Sequence, residues 1–188
     1  VPNGQLAKKV ERRAVCAAIE RDVGDRGVER FPERRRRRMR RRALDIAWLL
    51  AWGLVSSLWI VTAAGQLGAT FDEPFYLAQG LEYWRTGSHA RLMSKGTMPL
   101  AVDVTTLPLY VWERWTGAPF DPVMNVGRAL PVARAGTLLF WWLLLVYGAL
   151  AGRSLGAPWG GRLAGAFLAT EPSLLGHAGL ATTDVAVA

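Results

Sequence analysis

The chain of 188 residues has one cysteine and two histidines. A single thiol, Cys16, excludes an intrachain disulfide framework and any cysteine-based metal centre. It lies in the polar N-terminal part and reads as incidental. Acids are scarce beside bases: 15 Asp and Glu face 23 Lys and Arg, a net charge of +8. Charge is also missing from whole blocks. The stretch 43–64 has Asp45 as its one charged residue, and 135–151 has none. A soluble domain mixes polar and apolar residues along its length. Here polar residues fill the chain as far as Arg42, and long apolar blocks follow. The first 42 residues do not have the form of a secretory leader, which keeps its charge at the start and follows it with a short apolar core.

What is present is basic and sharply placed. Residues 34–42 are arginine throughout except Met39. Such a cluster can neutralise nucleic-acid phosphates, or it can mark the cytoplasmic flank of a membrane span. It abuts an apolar block, so the membrane reading is favoured and no nucleic-acid partner is expected. About 20 apolar residues cross roughly 30 Å of hydrocarbon as a helix, and 43–64 is long enough. Trp48 and Trp59 lie near its ends, as interfacial anchors do.

These features predict an all-α fold: polytopic transmembrane helices with a long extracytoplasmic first loop carrying interfacial helices. Residues 1–42 are expected to be a basic, disordered cytoplasmic tail. Lys8 to Asp22 could form a short polar helix there before Gly24, Gly27 and Pro32 break it. Residues 43–188 form the membrane domain, with spans at about 43–64, 135–152 and 160–175 and the start of a fourth at 184. The connection 66–134 is too polar to cross. Within it, 74–84 suits a helix with Pro74 in the first turn and Leu77, Leu81 and Trp84 on one face. A second interfacial helix is expected over 107–115.

Lys and Arg near a span mark its cytoplasmic side. The arginine block therefore puts the N-terminus inside, and the second span returns to place Arg153 and Arg162 inside as well. By that count Asp72, Glu73, Glu171, His177 and Asp184 all arrive on the outer face of the cell (inner) membrane.

Two stretches there carry chemistry. Thr70-Phe-Asp72-Glu73-Pro-Phe-Tyr76 offers paired carboxylates just beyond the first span, fit for a general base or for ligating a divalent metal. Thr70-x-x-Glu73 also matches a helix capping box. Glu171-Pro-Ser-Leu-Leu-Gly-His177-Ala-Gly-Leu-Ala-Thr182-Thr183-Asp184 brings a histidine that could orient a phosphate or a carboxylate. Its Asp184 stands at the mouth of a span, where an acid is costly. Thr183 or Asp184 would equally serve as a helix N-cap. The cations Arg85, His89, Arg91, Lys95, Arg128 and Arg134 are available to an anionic group, and each also reads as an ordinary interfacial charge.

Taken in order, Phe71-Asp72-Glu73-Pro74-Phe75-Tyr76 after the first span and Pro172-x-x-x-x-His177-x-x-x-x-Thr182-Thr183-Asp184 after the third resemble the start of a C-type membrane glycosyltransferase. The branch is that of the dolichyl-phosphate-mannose protein mannosyltransferases and the bacterial aminoarabinose transferase. The resemblance covers roughly 43–188. It implies a multi-span enzyme that moves a hexose or pentose from a polyprenyl-phosphate carrier to an acceptor protein, lipid or glycan at the extracytoplasmic face. No nucleotide is needed, and a divalent metal is the only cofactor it leaves room for. On that carry-over Asp72 matches the first-loop general base and Glu73 its neighbour. Tyr76, His177, Thr183, Asp184 and Arg128 are the candidate substrate-binding residues. Members of that family are longer, with more spans. The chain is therefore expected to be an N-terminal portion of such an enzyme, or an inactive truncated product. The alternative is a small non-enzymatic membrane partner or assembly protein whose outer loop binds another subunit.

Overall fold

The computed structural model describes residues 35–121 and 124–187. The polar helix expected at Lys8 to Asp22 lies outside them. The chain divides into two compact units, Val1–Ile46 and Ala47–Ala188. All regular structure among the described residues is helical. Two helical stretches, Arg35–Ala64 and Val126–Thr170, are long and apolar enough to cross a membrane by length and composition.

The described part of the first unit is the beginning of helix α1 (Arg35–Ala64). A disordered tail was expected as far as residue 42, yet 35–42 is helical. Arginine is a good helix former, and extending an existing helix avoids the cost of nucleation.

In the second unit, α2 (Glu73–Thr86), α3 (Ala90–Ser94), α4 (Pro99–Thr116) and α5 (Val126–Gly136) follow the first long helix. Pro74 sits in the first turn of α2, and Leu77 and Leu81 are fully buried, as the 3.6-residue spacing predicts. Trp84 stacks on Tyr110 and donates its indole N–H to the Asp103 carbonyl. The helix expected over 107–115 begins earlier, at Pro99, because Met98 is extended and proline is pre-set for a first turn. Both α2 and α4 end on a left-handed glycine, Gly87 (φ 77°) and Gly117 (φ 70°). Leu77, Leu81, Leu109, Ala129, Leu130 and Ala133 make one core. Close approach lets it form: a Cβ on Gly80 would lie 2.2 Å from the Thr106 hydroxyl, and one on Gly136 would lie 2.8 Å from Thr105 Cα.

A second core gathers Ile60, Trp141, Leu145, Ala169, Ala178 and Val185. It belongs to α1, α6 (Leu138–Thr170), α7 (Pro172–Ala178) and α8 (Asp184–Val187). Here α6 is a hairpin. Gly156 and Ala157 leave helical geometry, Ala157 at φ 53° and ψ −152°, and Pro158 starts the return leg. The legs 138–155 and 158–170 touch backbone to backbone. A Cβ on Gly152 would sit 2.5 Å from the Gly160 carbonyl oxygen, and one on Gly161 would sit 2.7 Å from that of Ala149. Small residues at such an interface are the usual route to tight helix pairing in lipid. Trp48 donates to the Arg162 carbonyl, and Trp141 donates to the buried Ser56 hydroxyl. The span expected over 160–175 is instead two helices. The return leg ends at Thr170, and Glu171 caps α7 by accepting from Leu174 N–H at 2.7 Å.

Gly152→Ala should destabilise the hairpin by about 1–3 kcal/mol, the usual cost of overpacking. Gly156→Ala, whose Cβ would meet nothing within 4 Å, should be tolerated. Thermal melts of the detergent-solubilised variants would distinguish them, and equal melting points would contradict the hairpin packing.

Candidate functional site

Arg134 comes from the last turn of α5 and Glu73 from the first turn of α2. Glu73 is 0% exposed and Arg134 2%. The guanidinium grips the carboxylate with two bonds: Nε to Oε1 at 2.8 Å and Nη2 to Oε2 at 2.7 Å. Its three remaining N–H groups donate to the carbonyls of Ala64 (2.6 Å), Leu67 (2.9 Å) and Gly68 (2.8 Å), where α1 ends. All five donors of the arginine are used. A helix C-terminus offers unpaired carbonyls and a partial negative charge, so this is where a buried cation is welcome.

Glu73 is equally saturated. Oε2 also accepts the Thr70 N–H at 2.9 Å, and Oε1 accepts the Ala181 N–H at 2.8 Å. The Thr70 bond is one half of the expected capping box. The other half is absent: the Thr70 hydroxyl is buried without a partner, and the N-cap position falls on Asp72. Burial pushes the Glu73 carboxyl up, but Arg134 and the two N–H groups outweigh it and hold it below the ordinary carboxylate range.

The Ala181 contact joins the two candidate motifs. Ala181 lies between His177 and Asp184, so one carboxylate oxygen of the Asp-Glu pair holds the middle of the second stretch. Close by, the Thr137 hydroxyl lies 2.7 Å from the Ala178 carbonyl, fixing the end of α7 to the start of α6. His177 Nδ1 is 2.9 Å from Asp184 Oδ2, and the Thr182 hydroxyl donates to the same oxygen at 3.1 Å. With the Asp184 carboxylate as acceptor, His177 would donate from Nδ1, which leaves Nε2 to face another group. Both side chains of this pair are more than half exposed. Thr183 is half-buried and accepts the Ala186 N–H through its carbonyl.

Asp72 differs from its neighbour. It is exposed, and its side chain makes no cap hydrogen bond. Two adjacent acids thus have opposite environments, one locked and one open. With every lone pair engaged, Glu73 can hold a position but cannot take up a proton without breaking its network. Tyr76 is half-buried one turn on, its ring tilted against Phe75.

The remaining cations sort by their partners. Arg85 pairs with Glu113 and donates to the Phe120 carbonyl at 2.7 Å. His89 lies 3.3 Å from Asp103 and stacks on Tyr83 with ring centroids 3.7 Å apart. Burial raises the Asp103 carboxyl, and His89 pulls it partly back. Arg91 stands 3.9 Å from Glu82. Lys95, exposed at the end of α3, and Arg128 belong to none of these sets; Arg128 lines a groove between α4 and α5. Among the described residues no group of three or more His, Cys, Asp and Glu could hold a metal ion.

Sequence reasoning placed the two motifs on one face but missed Arg134 as their link. Its one signal was a cation directly before the most apolar block of the sequence.

No family model, curated protein or solved structure matches the chain.

Arg134→Ala would leave Glu73 buried and unpaired, at a cost of about 3–5 kcal/mol. Arg134→Lys should recover little, since three ammonium donors cannot serve five acceptors. Denaturation of the purified variants tests both. Because the folded pKa of Glu73 is depressed, its contribution is complete above the unfolded value of about 4.3 and is lost as pH falls through the folded one. Melting temperature should therefore fall more steeply on acidification in the wild type than in Glu73→Gln; parallel slopes would contradict this.

Proposed function

We propose that this chain belongs to an integral membrane glycosyltransferase of the cell (inner) membrane. It moves a sugar from a polyprenyl-phosphate carrier to an acceptor hydroxyl at the extracytoplasmic face. The N-terminus is cytoplasmic, 66–134 is the extracytoplasmic first loop, and the spans are polytopic. The observation that carries the reading is the bond from Ala181 N–H to Glu73. It brings an open acid, Asp72, and an open His177–Asp184 pair onto one framework. These are the two motifs on which the family resemblance rests, and the bonded residues lie 108 residues apart.

In this reading Asp72 is the general base. The acceptor hydroxyl gives its proton to the Asp72 carboxylate as its oxygen bonds to the anomeric carbon. The bond from that carbon to the carrier phosphate oxygen breaks, and the phosphate leaves with the electron pair. Glu73 and Arg134 hold the backbone that carries Asp72. His177, oriented by Asp184, offers Nε2 to an anionic or hydroxyl oxygen, and Tyr76 and Thr183 are the further substrate-binding residues of this reading. No step needs a nucleotide. The charge pattern supports the orientation: Arg153 and Arg162 flank the α6 turn on which Trp48 docks, and the arginine block precedes Trp48 in sequence.

General-base catalysis is worth about 10²–10⁴-fold. Asp72→Asn should therefore reduce transfer by about 100-fold or more, assayed in membranes with a panel of polyprenyl-phosphate sugars. Insertion, followed by protease protection, should not change. Full transfer by this variant would refute the assignment.

A further inference from the structure

The groove between α4 and α5 has a volume of about 330 Å³ and an apolar, aromatic lining. Leu109, Trp112, Phe120 and Val132 form its walls, with Thr116, Asn125 and Arg128 as its polar side chains. Arg128 is exposed and has no acidic partner among the described residues, whereas Arg85, Arg91 and Arg134 each have one. A cation without an acidic partner, set in a largely apolar groove, complements an anion attached to an apolar body.

The outer face of α4 says from where such a ligand would come. The buried side of the helix is made by Val102, Thr105, Leu109 and Glu113. Leu100, Leu107, Val111 and Trp115 fall on the opposite side at helical spacing and are all exposed, Trp115 by 87%. Trp112, 60% exposed, lies between this stripe and the groove and borders both. An unpaired apolar stripe ending in two indoles suits the headgroup layer of a bilayer, where an apolar ring body and a polar N–H are both accommodated. The groove therefore opens where hydrocarbon and phosphate meet.

We infer that this groove takes the phosphate headgroup of a membrane lipid: Arg128 meets the phosphate, and Trp112, Leu109 and Val132 receive the first part of the hydrocarbon chain. A phosphomonoester lipid, with its higher charge, is favoured over a zwitterionic one. The site rests on the membrane placement and not on glycosyl transfer. Binding can be measured without turnover, so failure of the Asp72 assignment and failure of this site are separate results.

The test is quenching of tryptophan fluorescence in the detergent-solubilised full chain by bromine-labelled phosphatidic acid or phosphatidylcholine. Phosphatidic acid should quench saturably, and Trp112→Phe should remove a distinct share of the quenching. Arg128→Ala should weaken phosphatidic acid binding about tenfold, the worth of one charge-assisted hydrogen bond, and leave phosphatidylcholine unaffected. Arg128→Lys, which keeps the charge, should be intermediate, and it remains the readout if the alanine variant fails to fold. Equal quenching by the two lipids, or unchanged binding in both Arg128 variants, would overturn the site. Relief of quenching by millimolar inorganic phosphate would overturn the lipid and assign a soluble phosphoester instead.

Discussion

The second unit is organised around one buried ion pair. Arg134 and Glu73 lie 61 residues apart, yet between them they collect the end of α1, the start of α2, the end of α5 and the segment that leads into α8. A buried pair often contributes little net stability, because desolvating both charges offsets their attraction. Its effect here is geometric. Five donors and four acceptor positions are all filled, so moving any of these segments leaves a charge unsatisfied. The arrangement has one acceptable state. Asp72 inherits that state through the backbone, which explains how an exposed acid in a connecting segment can have a defined position.

The helices are brought together by missing side chains. Gly53 lies under the Trp142 ring, Gly80 against Thr106, and Gly152 against Gly160. Each contact removes a Cβ where two elements would otherwise be held apart. If the long helices lie in lipid, burying hydrocarbon offers them no advantage over leaving it in contact with the acyl chains, and close backbone approach would supply the attraction. The exposed apolar residues of α1, such as Leu54, Leu58 and Trp59, agree with that placement.

Periodicity and hydropathy were legible from the residues alone. The Leu77 and Leu81 face, the proline starts and the first long apolar helix follow from local rules, and the structure has them. Features that depend on distant partners were not. Arg134 read as an interfacial charge because nothing near it in sequence reveals five acceptors. The Thr70–Glu73 spacing suggested a reciprocal cap, but Arg134 and Ala181 bind the same carboxylate, and Thr70 keeps only one of the two bonds. The break at Thr170 was also hidden. Glu171 and Pro172 were visible as interruptions, but whether they bend a span or end it depends on the Leu174 N–H, which only the folded backbone supplies.

The unequal legs of the α6 hairpin have a consequence for depth. At 1.5 Å per residue, 138–155 measures about 27 Å and 158–170 only about 20 Å. Hydrocarbon is about 30 Å thick, so the return leg stops short of the far surface if both legs stand upright in it. Backbone that is not helical survives at such depth only when protein shields it or water reaches it. Leu174, Leu175 and Ala178 pack into the second core and provide the shielding, while His177 faces outward. The segment from Glu171 to Asp184 would then form the floor of a shallow well sunk beneath the lipid headgroups. A molecule that meets His177 there must descend into the membrane or be delivered from within it, so a ligand bearing its own hydrocarbon anchor would have the shorter path.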